Sequence, residues 1–195
     1  MAVITAILGF MMEPGSWLRS KAFLSGVFNP LYLPQLAFRT PLAMVTAATF
    51  VLFLVVLFAR SDRDLRGRAV RFVSLWTLAW LPVAALGSAW YWRVVPEWAR
   101  ANLPVALTTQ DFTRWHRAVG VALAVMVVAV LLQALVGAAR PTAVPRALLV
   151  VPFVVSLLTL ATFERVREFI RKPWVIGGYL YANGLRAEEY PLLEE

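Results

Sequence analysis

Residues 118–139 read AVGVALAVMVVAVLLQALVGAA, a run with no charge that is closed by Arg117 on one side and Arg140 on the other. As a helix rising about 1.5 Å per residue, it reaches about 33 Å, enough to cross a hydrocarbon core of roughly 30 Å. Thr40 to Ala59 and Phe72 to Trp92 are uncharged and long enough to do the same, and Ala147 to Phe163 is marginal but extendable at either end. Hydrophobic residues make up 61% of the 195 positions and charged residues only 15%, too little polar surface to enclose a water-soluble core. In lipid every backbone polar group must be paired internally, and no alternating ten-residue pattern suggests barrel strands. The expected fold is therefore all-α: a polytopic membrane helix bundle of about four transmembrane helices plus a short N-terminal helix. It forms a single membrane domain over 1–195, with a half-span and outward surface segment (1–38), a four-helix membrane bundle (39–172) and an extramembrane tail (173–195).

The net charge of +8 would suggest nucleic acid in a soluble protein. Here most arginines lie between the apolar stretches, so membrane lipid is the expected partner and nucleic acid is not. The 60–71 segment carries five arginines in twelve residues, and Arg140 and Arg146 flank the link between the third and fourth spans. The positive-inside rule puts that side in the cytoplasm, leaving the 93–117 loop and the C-terminal tail facing outward, periplasmic in a bacterial inner membrane. Met1 to Met12 lacks a basic leader and runs into Glu13-Pro14-Gly15, so a half-span or interfacial helix suits it better than a cleaved signal peptide. Pro14, Gly15, Pro30 and Pro34 then predict an irregular or surface-lying segment over 13–38.

The chain has no cysteine and one histidine, which excludes iron–sulfur ligation, thiol chemistry, c-type haem attachment and bis-histidine haem within this chain. No Walker loop, dinucleotide fingerprint, Ser/His/Asp set or paired intramembrane acid is present, so no catalytic residue and no metal site is assigned. Gln133, the one amide inside an uncharged span, is expected to hydrogen-bond to a neighbouring helix. Trp90-Tyr91-Trp92, Trp98 and Trp115 have the composition of an interfacial aromatic belt. Past the fourth span, Glu164, Glu168, Arg171 and Lys172 share a helix face before Pro173, expected to stop the helix. That cluster reads either as a self-paired, solvated helix end or as a holder for an anionic headgroup or haem propionate.

Three segments, in order, resemble the second half of subunit I of cytochrome bd quinol oxidases. They are Gly9-Phe10-Met11-Met12-Glu13-Pro14; Asn29-Pro30 followed by Gln35-Leu36-Ala37-Phe38-Arg39-Thr40; and Glu168-Phe169-Ile170-Arg171-Lys172-Pro173-Trp174-Val175-Ile176-Gly177. The resemblance implies a low-spin haem b held by a histidine and a methionine, but those positions are Arg39 and Ala118 here. It further implies a quinol-binding loop, reduced here to about residues 93–114, and an acidic haem contact, which Glu168 matches. A swapped ligand pair of His116 and Met44 is geometrically open; a solvated or hydrogen-bonded His116 at a helix start is the ordinary alternative.

The resulting expectation is a haem-lacking relative of that subunit, a structural membrane subunit of a multisubunit respiratory electron-transfer complex, not catalytic alone. No cofactor is expected in this chain itself. A second reading makes it the C-terminal half of a split quinol-oxidising subunit, with haem b or quinol at an interface with a partner chain carrying the family's first four helices. Arg39, His116, Glu168, Arg171 and Trp174 would then be the cofactor-binding residues. A third reading is a membrane anchor without a redox role.

Overall fold

Among the described residues of the computed structural model, four helices are long and apolar enough to cross a membrane. The structure describes residues 2–59, 62–97, 100 and 113–176, with side chains described for these except 113–116 and 164–176. In chain order the helices are α1 (Ala2–Met12), α2 (Trp17–Ser20), α3 (Phe23–Val27), α4 (Tyr32–Phe58), α5 (Arg63–Val94), α6 (Thr113–Ala139) and α7 (Arg146–Ile176). No strand occurs among the described residues. The fold is the expected all-α architecture of a multi-pass membrane protein, with a short N-terminal helix ahead of the four long ones.

The helix boundaries correct the expected ones in three places. α4 begins at Tyr32 rather than near Thr40, because Pro34 sits in its first turn, where backbone N–H groups have no intrahelical acceptor to lose. The irregular segment is therefore shorter than 13–38 and holds the short helices α2 and α3. α5 begins at Arg63, so most of the expected 60–71 loop is helix. Arginine is a good helix former, and a 32-residue helix of about 48 Å carries its charged first turns beyond the hydrocarbon. α7 continues through Pro173 to Ile176, so both the bundle limit at 172 and the tail start at 173 move. Neighbouring turns can hold a proline within such a helix by satisfying the freed carbonyl in other ways.

The chain resolves into two compact units. One draws its described residues from Met1–Arg39, Ala85–Arg114 and Arg165–Glu195, the other from Thr40–Ala84 and Trp115–Glu164. In the second unit, burial recurs with helical period: Val70, Val73, Ser74 and Thr77 on α5, then Met126, Val130, Gln133, Ala134 and Gly137 on α6. Ala48, Leu52, Val70, Val73, Val144 and Leu149 form one apolar cluster, and Val45, Met126 and Val130 form another. The polarity is inverted relative to a soluble protein. Thr49, Ser74, Thr77, Gln133, Ser156 and Thr159 are buried, while Val121, Leu123, Val125, Val127, Val128, Leu131, Leu132 and Leu135 stand exposed along α6. A monomer in water does not keep so continuous an apolar face; lipid solvates it at no cost.

Gln133 makes the expected interhelical bond, donating from Nε2 to Ser74 Oγ on α5 at 2.9 Å. The helices come close enough because position 137, one turn further on, is glycine. A Cβ there would collide with Ser74 Oγ and lie 3.2 Å from both Ser74 Cβ and Val70 Cγ1. Gly137→Ala is therefore expected to cost about 1–2 kcal/mol, through crowding and loss of the Gln133 bond. Ser74→Ala in the same chain should recover part of that loss. A double-mutant cycle of unfolding free energies in mild detergent checks it, and strict additivity would refute the shared contact.

Candidate functional site

The residues of the first two sequence motifs meet at the junction of α1, α3 and α4. Asn29 is buried and works as a hub. Its Nδ2 donates to the carbonyls of Ala6 (3.1 Å), Gly26 (3.0 Å) and Val27 (3.2 Å), and its Oδ1 accepts from Leu31 N–H at 3.1 Å. Two amide hydrogens thus serve three carbonyls and bind α1 to the start of α4. Gly9 packs directly on Asn29, where a Cβ would strike Oδ1. Gly15 has φ +57°, and a Cβ there would meet Pro30 Cδ at 2.7 Å, so this turn needs glycine for both its dihedral and its space. Glu13 Oε1 accepts from Gly15 N–H at 3.3 Å, closing the same turn. Phe10 and Trp17 pack edge to face at 5.1 Å beside Gly26.

The start of α4 is welded to the last turns of α5. Pro41 lies within α4 and has no N–H, so the carbonyl of Ala37 lacks its usual donor four residues on. Gly87 of α5 lies against that carbonyl so closely that an added Cβ would overlap Ala37 O and reach 2.9 Å from Phe38 N. A Cα–H···O contact of this kind partly replaces the missing hydrogen bond and brings two backbones together as larger residues cannot. One turn along α5, the Tyr91 ring stacks on Phe38, with centroids 5.8 Å apart and planes 5° from parallel. Its hydroxyl donates to Met12 Sδ at 3.6 Å. Tyr91 was expected in the aromatic belt; the helical period instead puts it on the Gly87 face, while Trp90 and Trp92 point outward at 46% and 60% exposure. Trp98 and Trp115 lie outside the described side chains.

Against this scaffold stand two side chains whose hydrogen-bonding capacity is not met. Gln35 is fully buried; Nε2 approaches Met12 Sδ at 3.9 Å, and Oε1 has no donor. Arg39, one turn later, is half-buried, and its Nε is enclosed without an acceptor. It forms no ion pair among the described residues, although the Tyr91 phenol is within its electrostatic reach. No other charged residue lies between Tyr32 and Phe58. A charged arginine at the centre of a span costs about 2.5–3.5 kcal/mol on insertion scales, less towards the interface, where a long side chain reaches polar groups.

Of the five predicted site residues, Arg39 alone has described side-chain surroundings. His116 falls in the first turn of α6, and Glu168, Arg171 and Trp174 fall on the last turns of α7, all as helical backbone, their side chains outside the described residues. Neither position assigned to an axial haem ligand by resemblance can donate to iron: guanidinium stays protonated, and Ala118 ends in a methyl group. Gln35, Tyr91, Met12 and Gly87 are site residues that sequence reasoning missed. The available signal was the Gln35–Arg39 spacing of four, visible once α4 is known to start before both. Comparison with protein-family models, curated proteins and solved structures returned no match to this chain.

Proposed function

We propose that this chain is a structural membrane subunit of a multisubunit respiratory electron-transfer complex, a haem-lacking relative of cytochrome bd subunit I that holds redox partners without ligating a cofactor itself. The supporting observation is what the motif residues do: Gly9, Asn29, Pro30 and Gln35 are spent on packing α1, α3 and α4 together, and the ligand positions carry Arg39 and Ala118. In this reading the bundle is retained as a platform and electron transfer belongs to neighbouring cytochrome subunits. The host membrane is a bacterial cytoplasmic membrane, with the arginine-rich start of α5 on the cytoplasmic side by the positive-inside rule.

The test is a reduced-minus-oxidised visible spectrum of the chain expressed alone and purified in mild detergent, with haem quantified against protein. The expected spectrum has no haem bands. Stoichiometric haem would overturn the reading and move the chain to the redox subunits, with His116 or Glu168 as the ligands to examine by substitution.

A further inference from the structure

We propose that Arg39, near the start of α4, binds the headgroup of an anionic phospholipid, with its guanidinium pairing the phosphodiester. Three observations carry this. First, Arg39 is the one charge on α4, its Nε is enclosed without an acceptor, and no carboxylate among the described residues pairs with it, Glu13 being turned to Gly15 N–H. No described residue supplies its counter-charge, which leaves the guanidinium open to an anionic ligand. Second, Arg39 is only half-buried, so part of its side chain stays accessible to a ligand although its Nε and the Oε1 of fully buried Gln35 are enclosed by protein. Phosphatidylglycerol brings a net negative charge to such a cation, whereas the choline headgroup carries a cation of its own.

Third, the position is that of headgroups. Side chains on a helix lean toward its N-terminus, so Arg39 reaches back over the first two turns of α4, toward the membrane boundary. Tyr32, Gln35 and Arg39, spaced by three and four, share that face. A cleft of about 230 Å³ opens at Tyr32, the N-terminal end of that face, with Phe28, Pro34 and Trp90 among its other walls and neither Gln35 nor Arg39 lining it. Exposed Trp90 and Trp92 mark the same level as interfacial. A lipid phosphate occupies that depth as a matter of course, whereas a carboxylate of a neighbouring subunit would have to be buried there, and that is treated as an outcome of the test.

Native mass spectrometry of the full chain, delipidated in mild detergent and titrated with dioleoyl-phosphatidylglycerol or dioleoyl-phosphatidylcholine, tests the proposal. Wild type is expected to take up one phosphatidylglycerol ahead of all others and to show no such preference for phosphatidylcholine. Arg39→Gln should weaken that first adduct about tenfold or more, the loss of one charge-assisted pair. Arg39→Lys should retain most of it, and Arg19→Gln, at an exposed arginine on α2, should leave it unchanged. An undiminished adduct in Arg39→Gln overturns the proposal, as does equal uptake of the two lipids by wild type, which needs no variant to fold. Displacement of the adduct by millimolar inorganic phosphate overturns the lipid assignment in favour of a free oxyanion. Loss of the preference only when a partner subunit is co-purified assigns Arg39 to that partner and also overturns it. The adduct is read independently of haem content, so the proposal and the scaffold function can fail separately.

Discussion

Replacing Gly87 with alanine is expected to destabilise the protein by about 3 kcal/mol or more, beyond the ordinary cost of one extra methyl in a packed site. The atoms in the way are backbone atoms of Ala37 and Phe38, which cannot rotate aside as a side chain would. Relief requires α4 and α5 to separate, which unstacks Phe38 from Tyr91 and draws the Tyr91 hydroxyl from Met12. Gly120 on α6 is the matched control. A Cβ there meets nothing within 4 Å, so Gly120→Ala should be neutral or stabilising by up to about 1 kcal/mol through helix propensity. Thermal unfolding of both variants in the same detergent checks the pair. Equal melting temperatures would refute the close crossing of α4 and α5.

Asn29→Ala is the second large effect expected. It strips the amide from the carbonyls of Ala6, Gly26 and Val27 and the acceptor from Leu31 N–H, all at one buried point. An unsatisfied buried group costs about 1–3 kcal/mol, and some of the four will find other partners, so a net loss of about 3 kcal/mol follows. Asn29→Asp should be worse despite its near-identical shape, because a carboxylate turns an acceptor toward three carbonyls. Hydrogen exchange of α1 amides offers a local reading: they should exchange faster in either variant, while those of α6 keep their protection. Uniform loss of protection would mean that the junction is not local.

Much of this architecture is written in patterns a single sequence displays. Long uncharged runs locate the spans because the lipid requirement is coarse, and Gln133 announced an interhelical bond because a lone amide in a span has few other uses. The start of α4 was not legible, since Pro34 breaks a helix in its interior but is harmless in the first turn. Nor was the start of α5, because arginines look the same in a solvated loop and a solvated helix. Gly87 is one glycine among ten in the chain, and only the position of a carbonyl freed by Pro41 on another helix gives it meaning. At the site, Arg39 stood out by its charge in an apolar context. Its neighbours did not: Tyr91 sits between two outward tryptophans, and Met12 is separated from it by 79 positions.

The inverted polarity of the second unit bears on how the protein is made. Each long helix presents valine, leucine or phenylalanine outward, so it can settle into the bilayer before its partners arrive. Its hydroxyls are already held by carbonyls one turn back on the same helix, as Thr77 is by Val73 and Ser156 by Pro152, whereas the Gln133 amide donates to Ser74 only once α5 and α6 dock. Insertion and assembly are thus separable steps with different chemical controls. Damage to the Ser74–Gln133 link should leave a fully inserted chain in which the association of α5 with α6 is weakened, and quality-control proteases in the membrane, rather than the translocon, would be the machinery that detects it.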